Sequence, residues 1–134
     1  METINRQRIL VVEDDEDILR ALKVRLEAGG FEVHTEERGI EGVSYATANP
    51  PDLVVLDLRL PDIHGYEVCK RLRHSYSSWA MPILMLTGMN EPIDQLRGFA
   101  HGADAYLPKP YDSNELLKTI HLLLGEMGEV QQVP

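Results

Sequence analysis

Short apolar runs of β type alternate with helical repeats along the whole chain, and that alternation leaves few folds open. Arg8-Ile9-Leu10-Val11-Val12 is a compact strand-like run. Ile18, Leu19, Leu22 and Leu26 then recur at helical spacing, and Gly29-Gly30 closes that helix. Phe31-Glu32-Val33-His34-Thr35 alternates as a strand does, and a short helix over residues 43–48 stops at Asn49-Pro50-Pro51. Leu53-Val54-Val55-Leu56 is the most hydrophobic run, and a strand apolar on both sides needs cover on both faces. The second half repeats the scheme: a helix over 66–73, a strand over 82–86, a weaker helix over 93–101 closed by Gly102, and a short strand over 105–107. A last helix over 116–124 ends at Gly125; Asp112 and Ser113 are both N-cap candidates, and Glu115 completes a capping box if Asp112 caps. Five strands alternating with five helices predict a three-layer α/β/α domain on a five-stranded parallel sheet. Residues 1–125 are expected to form that single domain, and 126–134 a loose tail or the start of a linker.

Composition narrows the function. A chain of 134 residues holds one core and not two, and 43% apolar residues is a globular proportion. Thirteen Lys+Arg against 22 Asp+Glu give a formal charge of −9, which argues against direct binding to nucleic acid or to an acidic membrane. Cys69 is the only cysteine, so no internal disulfide exists; in Val68-Cys69-x-x-Leu72 it reads as a small buried hydrophobe. The five histidines have no metal-ligand spacing. No apolar segment follows a basic start and no apolar run is long enough to span a bilayer, so a cytoplasmic protein is expected.

In a parallel α/β sheet, chemistry sits at the carboxyl ends of the strands. Here the first strand ends in Glu13-Asp14, the third in Asp57 and the fourth in Thr87-Gly88, while the fifth runs into Lys109-Pro110. Three carboxylates, a hydroxyl and an ammonium are thus expected around one hollow. Carboxylates held that close take up protons or share a cation, and Mg²⁺ (or Mn²⁺) suits their oxygen ligands. An aspartate beside such an ion is a nucleophile able to form an aspartyl phosphate; Lys109 supplies a mobile charge and Thr87 a hydroxyl for phosphate oxygens. Each residue alone has a plainer reading. Glu13 to Asp17 suits a solvated helix N-terminus, a lone Asp a loop cap, and a lone Lys the surface. Their coincidence at four strand ends carries the functional reading.

These segments together resemble the receiver family of response regulators in two-component signalling. The likeness runs through Ile9-Leu10-Val11-Val12-Glu13-Asp14-Asp15, then Asp52-Leu53-Val54-Val55-Leu56-Asp57-Leu58-Arg59-Leu60-Pro61-Asp62 with Gly65-Tyr66-Glu67. It continues in Pro82-Ile83-Leu84-Met85-Leu86-Thr87-Gly88 and Gly102-Ala103-Asp104-Ala105-Tyr106-Leu107-Pro108-Lys109-Pro110. The resemblance implies a flavodoxin-like (CheY-like) sheet of order 2-1-3-4-5. It implies that a histidine kinase or histidine phosphotransfer protein gives a phosphoryl group to Asp57. It makes Asp14, Asp57 and the backbone carbonyl of Arg59 the metal ligands, with Glu13 acting through water. Thr87, Gly88 and Lys109 would bind the phosphoryl oxygens, Thr87 and Tyr106 would form the switch pair, and the Lys109–Pro110 peptide would be cis. A downstream effector of unspecified kind, and a monomer or a weak dimer that strengthens on phosphorylation, complete the expectation.

The chain departs from the family pattern at several places. Glu13 stands where Asp is frequent. Arg59 and Met89 occupy positions that tune hydrolysis, and Met89 has no hydrogen bond to offer a water, so slow self-dephosphorylation is expected. Ala105 and Thr119 replace charged residues that DNA-binding relatives use in a dimer contact. Rival classes fit less well. A nucleotide-binding Rossmann domain needs a glycine-rich turn after the first strand, where this chain has Glu13-Asp14-Asp15-Glu16-Asp17; a flavin-binding flavodoxin fails likewise. A haloacid-dehalogenase-type phosphohydrolase would need an acid where Arg59 stands, and a receiver-like module that only binds partners would not need the full set of site residues.

Overall fold

The structure, a computed structural model, describes residues 6–77, 80–88 and 92–125. Met89 and the tail 126–134 lie outside the described residues. The elements alternate strictly: β1 (Arg8–Val12), α1 (Glu16–Ala28), β2 (Glu32–Glu36), α2 (Gly39–Ala48), β3 (Leu53–Asp57), α3 (Gly65–Ser75), β4 (Ile83–Thr87), α4 (Pro92–Ala100), β5 (Ala105–Pro108) and α5 (Ser113–Leu123). All strand pairs are parallel and the order is β2-β1-β3-β4-β5, as the resemblance implied.

The central strands are buried from end to end, which accounts for their unbroken apolar sequence. Alternate residues feed two cores. Val11, Val55 and Leu84 pack with Leu22, Leu26, Leu116 and Ile120 of α1 and α5 on one face. Leu10, Val54, Leu56 and Met85 pack with Ala46, Val68, Cys69 and Leu72 of α2 and α3 on the other. Cys69 is fully buried, and burial pushes its thiol up to about 11. No helix among the described residues is long and apolar enough to cross a membrane.

One helix starts well ahead of the sequence expectation. Helix α2 starts at Gly39, four residues before the expected 43, because its first turn is capped from elsewhere. The Gly39 and Ile40 N–H groups each donate to an oxygen of Asp62, at 2.8 Å. Burial pushes the Asp62 carboxyl up, but these backbone donors outweigh it and hold the group below its ordinary value. A capping carboxylate 22 or 23 residues away leaves no local signal. In helix α4 the apolar Ile93, Leu96 and Phe99 are exposed, and the buried residues are Asp94 and Gly98. In α5, Asp112 is the N-cap, accepting from the Asn114 N–H.

Arg73 at the end of α3 forms a knot that sequence pattern does not reveal. Its guanidinium donates to the carbonyls of Gly102 (2.8 Å) and Met81 (2.7 Å), and pairs with Asp104. Asp104 also accepts the Ile83 N–H at 2.7 Å. This ties α3 to the starts of β4 and β5. Truncation to Arg73→Met leaves Asp104 without its cation and removes the guanidinium donor from the carbonyls of Tyr76, Met81 and Gly102. A loss of about 2–3 kcal/mol is expected, read as a lower urea midpoint at unchanged slope.

Candidate functional site

The register that pairs Val12 with Leu56 brings the ends of β1 and β3 side by side. The next residues, Glu13 and Asp57, are buried at 3% and 7% exposure, and Asp14 beside them is exposed. Carboxylate oxygens of Glu13, Asp14 and Asp57 lie within 4.8 Å of one another. The acidic run after β1 then divides its labour. Asp15 caps α1, accepting from the Asp17 and Ile18 N–H groups, and Glu16 and Asp17 fill the first helical turn. Both sequence readings of this run therefore apply, to different residues.

Lys109 follows β5 and crosses the end of β4 to reach the acids. Its Nζ is 2.9 Å from Glu13 Oε1 and 3.4 Å from Asp57 Oδ1. Its own N–H donates to the Thr87 carbonyl at 2.7 Å, which fixes where the side chain starts. The peptide from Lys109 to Pro110 is cis.

The electrostatics is that of a crowded anionic pocket. Burial pushes the Glu13 carboxyl up, the Lys109 hydrogen bond opposes it, and the Asp57 charge adds to the rise. Burial likewise pushes Asp57 up, Lys109 opposes it, and Asp14 adds to the rise. For Lys109, burial alone would favour the neutral amine, but the Glu13 hydrogen bond and the two carboxylate charges outweigh it and raise its pKa. One ammonium therefore serves two buried carboxylates, and a third, Asp14, stands beside them at the rim. A hard divalent cation fits this donor set, which is all oxygen, clustered and open to solvent on the Asp14 side.

Thr87 ends β4, is 1% exposed, and pairs with Pro108 across the β4–β5 ladder. Gly88 follows it and is exposed, with open space where a side chain would stand. Tyr106 of β5 has its hydroxyl buried without a partner in hydrogen-bond geometry, although Thr87 lies near enough to oppose the rise in its pKa. Burial, helped by the Asp94 charge, pushes that phenol up to about 12. The Arg59 side chain is exposed, two residues beyond Asp57.

Gly65 is a site-building residue that periodicity did not single out. A Cβ there would stand 2.7 Å from the Asp57 carbonyl oxygen and 2.7 Å from Leu58 Cα. Its N–H donates to the Leu58 carbonyl at 2.8 Å. Only glycine lets α3 begin so close under the end of β3.

This fold and pocket define a class of proteins that carry clustered acids and a lysine at the strand ends of a doubly wound sheet. The family model described as "response regulator receiver domain" matches residues 9–121, and the chain belongs to that family. It is similar to the DNA-binding dual master transcriptional regulator RpaA of Synechocystis sp., 39% identical over 125 residues, which are 93% of this chain and 52% of that protein. The chain thus spans about half the length of the curated relatives it matches. A response regulator structure from Chloroflexus aurantiacus superposes with TM-score 0.84 at 34% identity, covering 90% of this chain and 99% of that one. A CheY-like receiver domain from Methanospirillum hungatei gives 0.85 at 31% identity, covering 93% and 98%.

The raised carboxylates make a stability prediction. A carboxyl whose folded pKa lies above its unfolded value contributes stability below that unfolded value and loses it as pH rises through the folded pKa. For Asp57 the window opens at the ordinary value of 3.8 and extends upward. Asp57→Asn should therefore stabilise the metal-free protein near neutral pH by about 1–2 kcal/mol. The gain should shrink toward pH 4. Thermal melts of both proteins across that range check it; an advantage that grows in acid contradicts the account.

Proposed function

We propose that this receiver domain accepts a phosphoryl group on Asp57 from a phosphohistidine donor, a histidine kinase or histidine phosphotransfer protein, and answers with a change of packing that an effector reads. The observation that carries it is the meeting of Glu13, Asp14, Asp57 and Lys109 at one sheet edge. An oxygen of Asp57 attacks phosphorus, the bond from phosphorus to the donor imidazole nitrogen breaks, and the electron pair leaves with the imidazole. Asp14, Asp57 and the Arg59 carbonyl, with Glu13 through water, would hold Mg²⁺ or Mn²⁺. Such an ion, when bound, would supply positive charge that offsets the carboxylates and the incoming phosphoryl group. Lys109 moves from carboxylate to phosphoryl oxygen, keeping its charge because its raised pKa holds the proton. Thr87 and Gly88 complete the cradle for the phosphoryl oxygens.

The signalling reading treats the domain as a phosphoacceptor, with self-dephosphorylation as its only hydrolytic activity. By the family resemblance position 89 tunes hydrolysis, and a methionine there has no hydrogen bond to offer a water, so a long-lived acyl phosphate is expected. Incubation with acetyl phosphate and Mg²⁺ should add one phosphoryl mass to the intact protein, decaying slowly once the donor is removed. Asp57→Asn should abolish the addition, and Asp14→Asn should weaken Mg²⁺ binding at least tenfold. Full phosphorylation of the Asp57 variant would sink the assignment.

The output reading rests on the exposed side of α4. Ile93, Leu96 and Phe99 stand outward there, at 52%, 63% and 45% exposure, and Leu122 is exposed on α5. This face suits an effector or a second copy of the chain. A monomer, or a weak dimer whose association rises on phosphorylation, is expected. Light scattering with beryllofluoride and Mg²⁺ should show a rise in mass that Phe99→Asp removes. An unchanged mass together with unchanged amide exchange over residues 92–124 would move the signal to another face.

A further inference from the structure

Helix α4 rests on the sheet through a residue with no side chain. Its two buried positions, Asp94 and Gly98, lie one turn apart on the inner face. A Cβ built at Gly98 would stand 3.1 Å from Met85 Sδ, 3.3 Å from Tyr106 Cδ2 and 3.7 Å from Tyr106 Cε2. The Met85 thioether and the Tyr106 ring thus together fill the space that a side chain at position 98 would need. From the other flank, Tyr66 of α3 donates its hydroxyl to the Asp94 carbonyl at 3.2 Å, and its ring stacks on His101 at 4.6 Å and 5°. Helix α4 is therefore pinned at its start and just past its end from α3, while its middle lies over Tyr106.

We propose that Gly98 is a positioning residue of the switch: its missing side chain is the slot that admits the Tyr106 ring in the buried conformation and lets α4 lie over it. The proposal rests on the Thr87–Tyr106 switch reading and deepens it. A methyl group at position 98 forces one neighbour to yield by a few tenths of an ångström. Met85 is fully buried in the middle of β4 and packed on all sides. Tyr106 is only partly buried and stands next to solvent, so its ring is the part that yields. The inward state then becomes less populated. Intrinsic propensity pulls the other way, since alanine favours a helix over glycine, and this opposition makes the slot measurable.

The test is a double-mutant cycle on the full chain, read by urea midpoints. Gly98→Ala should raise the midpoint in a Tyr106→Ala background, where the slot is empty, and should fail to raise it with Tyr106 present. Equal gains in both backgrounds overturn the slot. A second measurement needs no change at Tyr106 beyond assignment. In protein labelled with 3-fluorotyrosine, with the Tyr106 resonance assigned by its loss in Tyr106→Phe, Gly98→Ala should enlarge that resonance's solvent isotope shift. An unchanged shift overturns the slot as well. The same resonance in the unsubstituted protein should respond to beryllofluoride with Mg²⁺. Silence there overturns the proposal through the switch reading, whatever the midpoints say about packing.

Discussion

Lys109 sits 2.9 Å from one buried carboxylate and 3.4 Å from another, and the arrangement around it follows from that contact. Glu13 and Asp57 come together because β1 and β3 are neighbours in register, and a parallel sheet sends all its strand ends the same way. Two adjacent anions in a poorly hydrated place repel each other, and each is pushed toward its neutral form by burial. The ammonium that answers them cannot come from β4, whose last residue is Thr87. It comes from β5, one strand further, across the end of β4. The backbone link from the Lys109 N–H to the Thr87 carbonyl sets the reach of that side chain.

The pocket is thus held short of electrostatic balance. One cation answers three acids, and the raised carboxylate pKa values are the sign of what remains unpaid. A buried ion pair of this kind adds little to stability by itself. Its value lies in what it does for an incoming charge: on the reading proposed above, a divalent ion and a phosphoryl group together relieve the repulsion and release Lys109 to a new partner. The domain can carry this cost because its stability comes from elsewhere, from the two apolar cores on either side of the sheet.

How much of this was legible in the sequence depended on the range of the interaction. The central strands were legible because burial on both faces writes itself as an unbroken apolar run, as in Leu53-Val54-Val55-Leu56. The pocket acids and Lys109 were legible because topology, and not packing detail, brings strand ends together. The start of α2 was not, because Asp62 caps it from across the fold. The Arg73 knot was hidden for the same reason: its partners at 81, 102 and 104 lie in the connections just ahead of β4 and β5. In helix α4 the spacing of the apolar residues gives a face without saying which way that face points. Only the glycine on the opposite side marks where the helix approaches the sheet.

That orientation bears on dynamics. Helices α1, α2, α3 and α5 each place buried apolar side chains in one of the two cores, whereas among the described residues α4 places none in either. What holds α4 is a close glycine contact, a buried Asp94, and the hydroxyl and ring of Tyr66. Displacing such a helix forfeits few apolar contacts, which on the output reading proposed above suits an element that moves. The apolar residues that would have anchored it stand outward instead, where a partner can cover them. The same orientation therefore loosens the helix from its own core and leaves it an apolar outer face. Tyr106 lies against the inner face of α4, and on the switch reading proposed above it is the side chain through which a charge change at Asp57 would reach that helix.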